Sequence, residues 1–142
     1  MSTQPMTIDE YELHTAQGLY RILALARLTS TQSDVWNTML ASITLGTRVN
    51  VSQQEIAAFL QIDASYVSRA ARRLKEIGLI WRPPGSGFTW HANVRMVYKG
   101  TTEEWIEQIN QADDDEVPQV HVPAYKVRPP RRSDGRLRSV SA

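Results

Sequence analysis

The pattern of residues between Ser52 and Gly78 constrains this chain more tightly than any other stretch. Ser52-Gln53-Gln54-Glu55 has the spacing of a capping box, in which the Ser52 hydroxyl accepts from the Glu55 backbone N–H and the Glu55 carboxylate accepts from that of Ser52. A helix starting there is expected to bury Ile56, Ala57, Phe59 and Leu60. Gln61-Ile62-Asp63 reads as a turn, with Asp63 as the N-cap of a second helix. On that helix Val67, Ala70, Ala71, Leu74 and Ile77 share one face, and Ser65, Ser68, Arg69, Arg72 and Glu76 share the opposite one. Gly78 stands where a helix ends in a left-handed cap. Ala57, Ala70 and Ala71 are small enough for the two helices to cross closely. Two short helices, a tight turn and a basic outer face spell a helix-turn-helix over residues 52–78.

The flanking segments extend this unit into a domain. Leu79-Ile80-Trp81-Arg82 is strand-like, Pro83-Pro84-Gly85-Ser86-Gly87 is a turn, and Phe88 to Asn93 is strand-like again. A hairpin that follows a recognition helix directly reads as a wing, here spanning residues 79–94. Upstream, apolar residues at helical spacing predict a helix over 10–28 (Leu19, Ile22, Leu23, Leu25, Ala26, Leu28) and another near 31–45, ended by Gly46. Thr29, Ser30 and Thr31 can cap the second of these, and Arg48-Val49-Asn50-Val51 alternates like a short strand. Downstream, Thr102 onwards reads as a helix to about residue 112, with Glu103, Glu104 and Glu107 favouring its positive end. The expected fold class is therefore α+β: a winged helix-turn-helix over residues 10–112, preceded by a flexible leader, 1–9. Residues 113–142, acidic and then basic with interspersed prolines, are expected to form a disordered tail.

The net charge of +1 hides a strong segregation. Residues 63–99 hold seven basic side chains against two acidic ones, residues 101–116 hold seven acids and no base, and residues 117–142 hold six bases against one acid. A basic recognition segment beside an acidic element points to a polyanion-binding surface. Duplex DNA fits this demand: cations on phosphates supply affinity, and a helix in the major groove supplies side chains that reach base edges. Ser65, Ser68, Arg69 and Arg72 are the candidate groove residues, with Arg69 expected to contact a base. Arg73, Lys75, Arg82 and Ser86 are the candidates for backbone contact and for the wing. Arg128, Arg131, Arg132, Arg136 and Arg138 in the tail are expected to add affinity without specificity. Leu19, Leu23, Leu25, Trp105, Ile106 and Ile109 look in excess of what so small a domain can bury, which predicts a homodimer.

Catalytic readings find little to build on. With no cysteine, disulfides, thiolate catalysis and thiolate metal sites are excluded. His14, His91 and His121 lie in unrelated segments without partners at metal-ligand spacing, and Asp113-Asp114-Asp115-Glu116 lacks the glycine and spacing of a calcium loop. Gly85-Ser86-Gly87 is not a phosphate loop. No cofactor, metal or small-molecule ligand is expected, and neither is an enzyme. No apolar run reaches the roughly 18 residues of a membrane span. The N-terminus lacks the pattern of a signal peptide, so the expected location is the cytoplasm.

Leu60 to Ile80 resembles the recognition segment of many bacterial winged-helix proteins. His91-Ala92-Asn93-Val94-Arg95-Met96-Val97-Tyr98-Lys99-Gly100 is similar to the wing-exit sequence of the RepL family of plasmid replication proteins, with Val94 where that family has proline. The resemblance covers residues 35–105 and implies sequence-specific binding of double-stranded DNA in plasmid or phage replication or its control. A transcriptional regulator at a promoter would use the same surface. A winged-helix protein–protein interaction module is the alternative from a different class.

Overall fold

A computed structural model describes residues 12–113 and 115–123. The elements run β1 (Glu12–Thr15), α1 (Gln17–Ala26), α2 (Ser30–Ala41), α3 (Gln53–Leu60), α4 (Ala64–Ile77), β2 (Ile80–Trp81), β3 (His91–Ala92), β4 (Val97–Gly100) and α5 (Thr102–Gln111). Together they make an α+β winged helix-turn-helix.

Local capping chemistry starts three of the helices. Thr29 with Gln32, Ser52 with Glu55 and Thr101 with Glu104 each form a complete capping box at the heads of α2, α3 and α5. Asp63 occupies the N-cap position of α4, but its side chain makes no capping hydrogen bond. The turn between α3 and α4 is closed by Gln61 in the left-handed region (φ 58) and by the Ile62 N–H, which donates to Ala57 O at 3.0 Å.

α4 is the centre of the packing, lying against both α2 and α3. Its inner face, Val67, Ala70, Ala71, Leu74 and Ile77, is buried together with Val35 and Met39 of α2 and Ile56 of α3. Leu79 and Ile80 continue the same core into the wing, where β2 pairs antiparallel with β3. The connection from α2 to α3 lies alongside: the Ala92 N–H donates to Thr47 O, and the Val49 N–H donates to Trp90 O.

Several sequence expectations are displaced by contacts that no local pattern reveals. The helix expected over 10–28 begins at Gln17, because Glu12–Thr15 pairs antiparallel with Val97–Gly100 as β1 on β4. The helix expected to reach 45 ends at Ala41. Asn50 holds the chain there, its backbone N–H donating to the Ser42 hydroxyl and its side-chain amide to Ser42 O. The strand expected over 48–51 contracts to a single bridge, Arg48 opposite His91. Phe59, expected inside, is 74% exposed, because only Ile56 and Ala57 of α3 are buried against the rest of the domain. The wing pairs only over two residues per strand, which leaves 82–90 as a long tip.

The described part of the expected tail is packed on the domain. Val117 is buried, Val120 and Val122 pack against the core, and the His121 N–H donates to Ile77 O at 2.9 Å. Residues 115–123 thus form a strap across the C-terminal end of α4, whose last carbonyls need partners. The leader 1–9 and the basic part of the expected tail lie outside the described residues. Gly78 ends α4 at φ 90, and a Cβ there would meet Gln119 O at 2.6 Å, so strap and helix approach too closely for any side chain.

Asn93, fully buried, ties this corner together. Its side-chain Nδ2 donates to Gly78 O at 2.9 Å and to Pro118 O at 2.8 Å, while its side-chain Oδ1 accepts from the Arg95 N–H at 3.0 Å. Asn93→Ala would strand the buried Gly78 carbonyl and is expected to lower stability by about 2–3 kcal/mol in chemical denaturation. Asn93→Asp is expected to cost more, since a carboxylate would replace the donor that faces those two carbonyl oxygens.

Candidate nucleic-acid interface

The outer face of α4 follows from the inner one. Once Val67, Ala70, Ala71, Leu74 and Ile77 are buried, the helical repeat turns Ser65, Arg69 and Arg72 to solvent and leaves Ser68 half-buried. Lys75 is exposed on the last turn. These five side chains are brought onto one helix as expected.

Arg73 is not among them. It is 8% exposed, lies on the buried side of α4 and approaches Glu76 at 3.9 Å. Its place in the repeat, three residues after Ala70 and four before Ile77, puts it at the edge of the buried face. A long arginine stem can cover apolar surface there, and with so little of it exposed Arg73 is part of the packing of the domain.

The wing carries the remaining candidate cation, Arg82. Arg82 is exposed, with its guanidinium carbon 3.7 Å from the ring centroid of Trp90 and 5.9 Å from that of Phe88. Trp90 is buried, while Phe88 at the tip is 90% exposed. Ser86 is half-buried and its hydroxyl donates to Pro83 O at 2.6 Å, which commits it to the turn. Between the wing and the start of α3 lies a cleft of about 510 Å³, lined by Arg48, Asn50, Ser52, Arg82, Thr89 and Trp90 among others.

Two aromatic partners escaped the sequence reading. Tyr66, half-exposed, lies under Arg69, with the guanidinium carbon 4.8 Å from its ring centroid. Its spacing of three residues from Arg69 was a usable signal, because such residues are helix neighbours. The stack of Arg82 on Trp90 depends on the fold of the wing tip and had no comparable signal.

The histidines do structural work. The Nε2 of His14 is 2.8 Å from Gly100 O and its ring stacks on Trp105, whose indole N–H donates to Val94 O. The Nδ1 of His91 is 3.2 Å from the Thr47 hydroxyl, and burial first, then the nearby Arg48 charge, lowers its pKa below the ordinary 6.5. Burial and then the carboxylates of Glu104 and Glu107 raise the pKa of Tyr98. Among the described residues, no group of three or more acidic or histidine side chains is placed to hold a metal ion, and no helix is long and apolar enough to cross a membrane.

Arg73→Ala is expected to lower stability by about 1–3 kcal/mol in denaturant titrations. Lys75→Ala, by contrast, is expected to leave stability within about 0.5 kcal/mol of wild type. His91 adds a pH dependence. Its folded pKa lies below 6.5, so the stability it confers is complete above that value and is lost as the pH falls through it towards the folded pKa. Melting curves across this range should show a smaller acid-side loss for His91→Gln than for wild type.

Residues 43–86, from just after α2 through α3 and α4 to the wing tip, match the model of the MarR family. No curated protein and no solved structure matches the chain.

Proposed function

We propose that this protein is a sequence-specific double-stranded DNA-binding regulator of transcription. The observation that carries this reading is α4 itself: one face wholly buried, the other presenting Ser65, Arg69 and Arg72 beside a wing that presents Arg82. The similarity of residues 43–86 to the MarR family favours a regulator over a replication protein. The stretch that resembles RepL proteins offers no separate support for replication. Its Asn93 is buried in a structural hydrogen-bond hub, and its last four residues form β4 against β1.

In this reading α4 enters the major groove and Arg69 donates two hydrogen bonds to a guanine, a contact worth roughly 1–3 kcal/mol of discrimination. Ser65, Ser68 and Arg72 share the groove surface, whereas Lys75 and Arg82 neutralise phosphates. The protein acts as a homodimer on a palindromic site. Leu25, Tyr20 and Ile106, at 60%, 58% and 53% exposed on α1 and α5, supply apolar surface for the partner, whereas Leu19 is spent in the core. Its place of action is the cytoplasm.

Selection of bound sites from random duplex DNA tests the reading. A palindromic consensus with half-sites about one helical turn apart, lying at promoters, is expected. Sites confined to a replication origin would favour replication, and weak, non-saturable binding would favour a protein–protein module. Sedimentation should show a dimer free and on DNA; a monomer in both states would remove the dimer. Lys75→Ala should lower affinity almost equally for cognate and random duplex and reduce the salt slope by about one. Deleting residues 124–142, beyond the packed strap, removes six bases and should weaken binding to all sequences alike with a shallower salt dependence.

A further inference from the structure

Tyr66 stands in the first turn of α4, three residues before Arg69. Half of its surface is exposed, and it is not one of the buried residues of the core. The Arg69 guanidinium lies over its ring at 4.8 Å, and the Arg69 Nε–H points back to Ser65 O at 3.4 Å. Two contacts therefore fold the side chain along the helix instead of leaving it to sample solvent.

The chemistry of the pair makes stacking and base reading compatible. Stacking engages the face of the guanidinium, whereas hydrogen bonds to a base edge leave from its rim in the guanidinium plane. An arginine already held by two contacts of its own helix loses less rotamer freedom when its donors engage a base. We propose that Tyr66 is a positioning residue that sets DNA specificity through Arg69, by holding the guanidinium plane in the orientation in which it reads its base. The inference rests on the reading of Arg69 as a base contact and deepens it.

An exposed stack of this kind is small, so the expected effect is a two- to fivefold loss, about the size of a surface cation–π contact. The experiment compares site preference, position by position, for wild type, Tyr66→Phe, Tyr66→Leu, Arg69→Ala and the Tyr66→Leu/Arg69→Ala double variant. Leucine is as good a helix former as tyrosine or better, so α4 is kept, and melting temperatures verify that. Tyr66→Leu should relax preference at the one position per half-site that Arg69→Ala relaxes, Tyr66→Phe should keep it, and the double variant should match Arg69→Ala. In the free protein, the ring-current shift of the Arg69 side-chain protons should persist in Tyr66→Phe and vanish in Tyr66→Leu.

The outcomes separate the two claims. If Arg69→Ala keeps the wild-type profile, Arg69 reads no base and the inference falls with that reading. If Arg69→Ala relaxes a position that Tyr66→Leu leaves intact, the inference alone is overturned. It is likewise overturned if Tyr66→Leu changes preference at another position when Arg69 is already alanine, because Tyr66 then touches the DNA directly.

Discussion

The buried amide of Asn93 holds the end of α4 where the rest of the structure needs it. A helix that offers its polar face to a partner must be anchored through its apolar face and its ends. The apolar face of α4 has α2 and α3, but its last carbonyls point into a corner shut off from water. Asn93 and the strap supply the missing donors: the amide bonds Gly78 O, and the His121 N–H bonds Ile77 O. In a low-dielectric corner a carbonyl left without a donor is costly, so these bonds act as a specification of geometry as much as a source of stability. The same amide reaches Pro118, which ties the strap, the wing exit and the recognition helix into one joint.

Around that joint the cations divide by burial rather than by position in the chain. Arg73 and Lys75 are two residues apart, yet one is enclosed in the domain and the other stands in solvent. Arg69 and Arg82 are exposed and each lies on an aromatic ring, Tyr66 and Trp90 respectively. Arginine suits such sites, because its weakly hydrated guanidinium can lie on a ring while donors on its edge stay available. The acids of residues 101–116 gather on and after α5, where Glu104 also caps the helix. The end of that acidic stretch comes up to the wing, where Asp113 and Glu116 line a cleft shared with Trp81, Pro83 and His91.

Much of the fold is legible in local chemistry. The capping box at Ser52, the apolar repeat through α4 and the left-handed Gly78 each rest on interactions within about one helical turn, so the residues alone specify them. The exposed face of α4 follows from the same repeat, and the i, i+3 relation of Tyr66 to Arg69 is legible by the same logic. Arg73 differs from its expected place because a basic residue in a basic run looks solvated, whereas its helical phase puts it next to Ala70 and Ile77. Phe59 erred the other way, since α3 is short and its partners cover only one side of it.

What the sequence determined by itself is the helix-turn-helix and the hairpin after it, because periodicity, caps and turn residues act over a few neighbours. The tertiary structure alone decided which distant segments complete the domain. β1 pairs with β4 across some 80 residues, Asn50 ends α2 by reaching back to Ser42, and a proline-bearing acidic segment becomes a strap instead of a tail. Such contacts leave no local pattern, because a strand of four residues or a strap of nine is stabilised only by the surface it lands on. That surface exists only once the helices have packed.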